Sequence, residues 1–226
     1  MVTVNRSSEP KTLQSKMGFE DHDLKTPDHD AIMVWLDENI EEVVAQLVGA
    51  DKEDWTSQEV EGAFAEANAK ITRTRASRYL SDEQREMLAQ SCLDIPVFKS
   101  LLVGKTRWES PITTRTPYST YTVGFLDMQV DACSQPAIHL RGWDYPSENL
   151  KSSPKFELYY ENNWTFLFEV KSAIPSLGEL VRQIKYYQTY REGTYVVVSP
   201  DQRWQSQLEK QGIRFVFPDM DRTTNQ

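Results

Sequence analysis

Apolar and polar positions change period along this chain. Through the first hundred residues the apolar spacing is helical. Asp30 is placed to cap a helix predicted through Ile32, Val34, Trp35, Ile40, Val43, Val44 and Leu47, with Gly49 as its stop. Ser57 opens a second predicted helix, through Val60, Phe64 and Ile71 to about Tyr79. Ser81-Asp82-Glu83-Gln84 has the pattern of a capping box opening a third. A short fourth is expected after Pro96, through Phe98, Leu101 and Leu102.

From about Arg107 the period falls to that of strands. Trp108 to Thr114 reads as a first strand, with Pro111 favouring a sheet edge. Tyr121 to Cys133 alternates well and is the second. Residues 134–155 are polar and contain Gly142, Pro146 and Pro154, a connection with strand character at its ends. Phe156 to Tyr160 and Trp164 to Lys171 read as a hairpin across Glu161-Asn162-Asn163. A helix follows from about Ser176 to Arg191, then a strand from Tyr195 to Ser199. Trp204 to Lys210 is a last helix, stopped by Gly212, and Ile213 to Phe217 a last strand. Strands followed by alternating helices and strands imply an α/β fold, with a mixed central sheet flanked by helices and an N-terminal helical extension.

Residues 1–29 are polar and aperiodic, with Pro10 and Pro27, and read as a flexible acidic tail. Residues 30–99 form the helical N-terminal region and residues 100–226 the core. The charge is unevenly spread along the chain. Residues 1–60 carry 14 Asp and Glu against 5 Lys and Arg, whereas residues 61–226 carry 20 of each. The net charge of −9 therefore does not argue against a polyanionic substrate for the core. Two cysteines, Cys92 and Cys133, are too few for an iron–sulfur cluster or a cysteine-only zinc site. No apolar run is long enough to span a membrane, and the N-terminus has no signal-peptide pattern, so the expectation is a cytoplasmic protein.

The candidate chemistry lies where apolar strands end in charge. In Trp164-Thr165-Phe166-Leu167-Phe168-Glu169-Val170-Lys171, the Glu and the Lys are two apart and share a strand face. Charges at the end of a strand that wants burial need a partner or a metal. Alone, a Glu-x-Lys triplet arises by chance about once in a chain this long. The surroundings give it weight. Gly124-Phe125-Leu126-Asp127 places an aspartate in the second strand, and Gln183 and Tyr187, four apart, share a helix flank beside the stripe Leu177, Leu180, Val181 and Ile184. Two carboxylates on adjacent strands suit Mg²⁺, a hard cation that prefers carboxylate, water and phosphate oxygen. Lys171 could orient a water or stabilise charge on a phosphorane-like transition state, and Gln183 and Tyr187 could bond the substrate backbone or the lysine.

With these residues the chain resembles the PD-(D/E)xK nuclease superfamily, and within it the RecB-like branch that carries a QxxxY helix motif. Asp127 stands for the motif aspartate, Glu169 and Lys171 for ExK, and Gln183 and Tyr187 for QxxxY. Glu109 resembles an extra acidic metal position near the first strand. Leu126 stands where many members have proline, and the four-cysteine signature of some RecB-like relatives is absent. The resemblance covers roughly residues 100–217. It implies a restriction-endonuclease-like core and Mg²⁺- or Mn²⁺-dependent hydrolysis of phosphodiester bonds.

The expected function is thus a metal-dependent deoxyribonuclease, endonuclease or exonuclease, with Asp127, Glu169, Lys171, Gln183 and Tyr187 at its centre. A ribonuclease or conditionally activated effector nuclease on the same core is one alternative. A non-catalytic nucleic-acid-binding or scaffolding subunit is the other. Basic side chains placed to track a phosphate backbone are Arg73, Arg75 and Arg78, then Lys105, Arg107 and Arg115, then Arg182 and Lys185. Asp131 shares a face with Asp127 and is read as a second ligand or, more simply, a solvated strand end. The partner expected is nucleic acid, with a homodimer or partner protein through the N-terminal helices left open.

Overall fold

The computed structural model describes residues 27–50, 53–73, 81, 83, 99–144 and 153–220. Helices α1 (Pro27–Glu38), α2 (Ile40–Val48) and α3 (Ser57–Arg73) come first. Strands β1 (Leu101–Val103), β2 (Arg107–Arg115), β3 (Thr120–Asp144) and β4 (Ser153–Val170) follow. Then come α4 (Leu177–Gln188), β5 (Thr194–Val198), a 3₁₀ turn (Gln202–Trp204), α5 (Gln205–Lys210) and β6 (Arg214–Val216). The fold is mixed α/β. Its six-stranded sheet runs β1-β3-β4-β5-β6, with β2 also paired to β3. β1 and β2 are antiparallel to β3, whereas β4, β5 and β6 are parallel neighbours. The parallel part follows from the helical crossovers α4 and α5, which return the chain to the same sheet end.

The chain divides into two compact units: Met1–Val43, Gly104–Asp131 and Trp164–Gln226 form one, and Val44–Val103 with Ala132–Asn163 the other. The first contains α1, α4, β2, β5 and the halves of β3 and β4 that carry the charged motifs. Its core joins Leu180, Ile184 and Tyr187 of α4 to Ile112, Val123, Leu126, Leu167, Tyr195 and Val197 of the sheet. Phe166, Phe168, Val170, Val196 and Val198 occupy the alternate strand positions and are buried as well. These strands therefore lack the polar alternation of a half-exposed sheet, as parallel strands covered on both faces do. Each fully buried large apolar side chain stabilises the fold by roughly 1.5–3 kcal/mol. In the second unit, β1 pairs with Ala132, Cys133 and Ser134, and Lys99 bridges Asp54.

Several expectations are corrected. The first helix begins at Pro27, not after Asp30, and breaks at Asn39, whose amide and side chain both bond the Trp35 carbonyl. Proline suits a first helical position because its missing N–H would have no partner there. Gly49, with φ of 66°, ends α2 as expected. Thr56 rather than Ser57 caps α3. Its hydroxyl accepts from the Glu59 amide while Glu59 Oε2 accepts from the Thr56 amide, a capping box that holds the Glu59 carboxyl below its usual pKa. Leu101 and Leu102 lie in a strand and not in a helix, because β3 offers them a partner distant in sequence.

The polar stretch 134–155 has the strand character expected at its ends, but more of it at the start, where β3 runs on to Asp144 and passes Gln135 at φ of 58°. There is no hairpin at Glu161-Asn162-Asn163. β4 is continuous, and none of the three adopts the positive φ that a tight hairpin turn requires. Apart from Ser81 and Glu83, the third predicted helix lies outside the described residues, as do the segment 91–98 with Cys92, and Arg75 and Arg78. Cys133 is a free thiol whose pKa is raised by burial. No helix among the described residues is long and apolar enough to cross a membrane.

Candidate active site

Asp127, Glu169, Lys171, Gln183 and Tyr187 all lie in the first unit and all are buried. β3 and β4 are neighbours, and they are joined here by a side chain. Asp127 Oδ2 accepts a hydrogen bond of 2.6 Å from the backbone amide of Val170, the middle residue of the Glu169-Val170-Lys171 triplet. One step further, the Lys171 amide donates to Val198 O at 2.9 Å, so β5 holds the triplet from its other side. The Asp127 carboxylate is thus fixed to the main chain of the triplet rather than to one of its flexible side chains.

Glu169 is 2% exposed. Its Oε1 lies 2.9 Å from Lys171 Nζ and accepts from Gln183 Nε2 at 3.1 Å. The lysine and the glutamate project from the same strand face, as alternation requires. Burial of either charge alone would cost several kcal/mol, and each offsets that cost for the other. The same Gln183 nitrogen donates to Tyr187 Oη at 3.2 Å. The carboxamide therefore links the phenol to the glutamate and fixes the carboxylate's rotation.

α4 presents these residues because Ser176 caps it, accepting from the Glu179 amide, and because Leu180 and Ile184 dock it on the sheet. Tyr187 is not a flank residue but fully buried core. It fits only because residue 124 is glycine: a Cβ there would lie 2.6 Å from the phenolic oxygen and 2.8 Å from a ring carbon.

His29 joins the site and was assigned to the tail by sequence. It is buried on α1, with Nε2 3.5 Å from Asp127 Oδ1 and Nδ1 3.7 Å from Asp30 Oδ1. When protonated it forms an ion pair with Asp127. The signal available was Pro27 with Asp28 and Asp30 behind it, a proline at the first helical position and acids in the first turn.

Glu109 falls opposite Asp127 in register, between the pairs Trp108 with Met128 and Ser110 with Leu126. It is exposed, with φ of 48°. No hydrogen bond or ion pair among the described residues ties it to Asp127 or Glu169. Asp131 is bound elsewhere: it accepts from Thr165 Oγ1 at 2.7 Å and pairs with Arg107 at 2.6 Å. Beside it, Gln129 Oε1 accepts from Ser110 at 2.8 Å and from Arg191 at 2.5 Å. Arg191 also donates to Pro111 O, which ties the turn after α4 to β2.

The other basic candidates differ in freedom. Lys105 and Arg115 are exposed. Lys185 Nζ donates to Gln211 O at 2.7 Å, and Arg182 Nε donates to Gly178 O at 3.2 Å, both on the exposed side of α4. Arg73 closes α3.

Among the described residues no three His, Cys, Asp or Glu side chains are grouped closely enough to hold a metal by themselves. The donor set still fits a hard divalent cation. Mg²⁺ is commonly held by one or two carboxylates and keeps several waters, and Asp127 and Glu169 supply two carboxylates with an imidazole beside the first. Comparison with protein-family models, with curated proteins and with solved structures found no match to the chain.

Proposed function

We propose that this chain is a metal-dependent deoxyribonuclease of the PD-(D/E)xK superfamily, RecB-like branch, with a restriction-endonuclease-like core. The observation that carries the reading is the bond from the Val170 amide to Asp127. It brings the aspartate of one strand to the Glu-x-Lys of the next, as shared work on one substrate needs. Lys171, Glu169, Gln183 and Tyr187 then form a chain of side-chain contacts, which Asp127 joins through the Val170 amide.

Asp127 and Glu169 are the residues that would hold Mg²⁺ or Mn²⁺, with His29 beside Asp127. When bound, the cation supplies Lewis-acid polarisation of the phosphate and a hydroxide-like water. Lys171 brings a largely buried positive charge to the site. There it stabilises the extra negative charge that the phosphate oxygens gain in the transition state. Gln183 holds the Glu169 carboxylate in one orientation, and Tyr187 holds Gln183. This is preorganisation: the polar groups are in position before the substrate arrives.

The test uses linear, circular and single-stranded DNA and RNA, each with Mg²⁺, Mn²⁺ or EDTA, beside Asp127→Asn. Cleavage of DNA that needs metal and falls at least a hundredfold in the variant supports the reading. Cleavage confined to RNA moves it to the ribonuclease alternative. Binding without cleavage under every condition overturns it in favour of a scaffolding subunit.

A further inference from the structure

The hairpin formed by β2 and β3 carries Asp127 on its second strand and ends in the turn Thr116-Pro117-Tyr118-Ser119. That turn is tightly bonded. The Thr116 amide donates to Ser119 O at 2.8 Å, the Thr116 hydroxyl donates to the same oxygen, and the Ser119 amide donates to Thr116 Oγ1. Yet it holds Tyr118 97% exposed. Next to it Tyr121 is 51% exposed and Phe125, further along β3, is 42% exposed. An ordered turn that projects a bare aromatic ring, followed along β3 by two more exposed rings, offers flat faces on which unpaired bases can stack.

The charge of this segment selects the occupant. No acid lies between Glu109 and Asp127, although the chain has 34 Asp and Glu, and the segment's only charged side chain is the exposed Arg115. Aromatic rings with a cation, on an acid-free arm, suit unpaired bases and a phosphate backbone.

We propose that the tip of the β2–β3 hairpin binds single-stranded nucleic acid, with bases stacked on Tyr118 and Tyr121 and phosphate on Arg115. The inference rests on the nuclease reading for its orientation. Seven residues of extended β3 separate Thr120 from Asp127, roughly 23 Å.

Binding of a fluorescently labelled single strand is measured by anisotropy in EDTA, for the wild type, Tyr118→Ala/Tyr121→Ala and Arg115→Ala. All three changes are on exposed side chains, and an unchanged melting temperature confirms the fold. The double variant is expected to bind about tenfold more weakly for each ring removed. Arg115→Ala is expected to weaken binding and flatten its salt dependence. Wild-type affinity in the double variant overturns the proposal, and so does an equal loss on blunt duplex, which offers no unpaired bases. A second-copy contact in place of nucleic acid, seen as dimers of the wild type that the double variant loses, also overturns it.

Cleavage with Mg²⁺ is scored separately. Loss of binding in a protein that cleaves nothing keeps the docking surface and removes the nuclease reading. Normal cleavage with unaltered binding does the reverse.

Discussion

The phenol of Tyr187 rests directly on the backbone of Gly124, where a Cβ would come within 2.6 Å of its oxygen. This contact lets a fully buried tyrosine reach Gln183, and through it Glu169. Gly124 on β3 therefore bears on the position of a carboxylate on the neighbouring strand β4.

Gly124→Ala should push the ring aside. Overpacking of this kind costs about 1–3 kcal/mol, and the melting temperature should fall by about 2–4 °C for each kcal/mol in a chain of this size. Cleavage should fall further than the folded fraction does, because the Gln183 bond to Glu169 is strained as well. A variant with normal cleavage per folded molecule would show that the tyrosine does not position Gln183.

His29 should matter to metal affinity, since its imidazole lies beside Asp127. Melting is followed as Mn²⁺ is added. A cation that binds the folded state raises the wild-type melting temperature in proportion to the logarithm of its concentration. His29→Ala should need about 10–100 times more metal for the same rise. An identical metal response in the variant would reduce His29 to a packing residue.

Tyr195 gives a pH signature. Burial, chiefly, pushes its pKa up to about 12. The Glu169 charge adds to the shift and the Arg191 charge opposes it. The ordinary value is about 10. Below pH about 10 both folded and unfolded states are protonated and the stabilisation is complete. Between about 10 and 12 only the unfolded state ionises, so stability is lost as pH rises. The wild-type advantage over Tyr195→Phe should shrink across that window. A difference that stays flat in denaturant titrations from pH 9 to 12 would contradict the shift. Below the window the variant should lose about 1 kcal/mol, for the bond from Tyr195 Oη to Arg191 O.

The charged motifs were legible because they rest on two short periods. Alternation put Glu169 and Lys171 on one strand face, and the four-residue helical repeat put Gln183 beside Tyr187. What joins them was not legible. The Asp127 bond to Val170 uses a main-chain amide and depends on which strands become neighbours. Gly124 carried no local sign of a phenol packed on its backbone. His29 was missed because Asp30, directly before the apolar run, is the more usual capping residue, whereas the helix starts at Pro27. Asn162-Asn163 resembled a turn, but the buried run from Phe166 to Val170 favoured one unbroken strand. β1 looked helical because its partner on β3 lies about thirty residues away.

The central claim is that Asp127, Glu169 and Lys171 form one hydrolytic site, and Lys171→Ala tests it most directly. Single-turnover cleavage of a labelled linear DNA is compared between wild type and variant in Mg²⁺ and in EDTA, with circular dichroism to confirm that both are folded. The account predicts cleavage by the wild type that EDTA abolishes, and a fall of about a hundred- to a thousandfold in the variant. A folded Lys171→Ala protein that cleaves at the wild-type rate would contradict it.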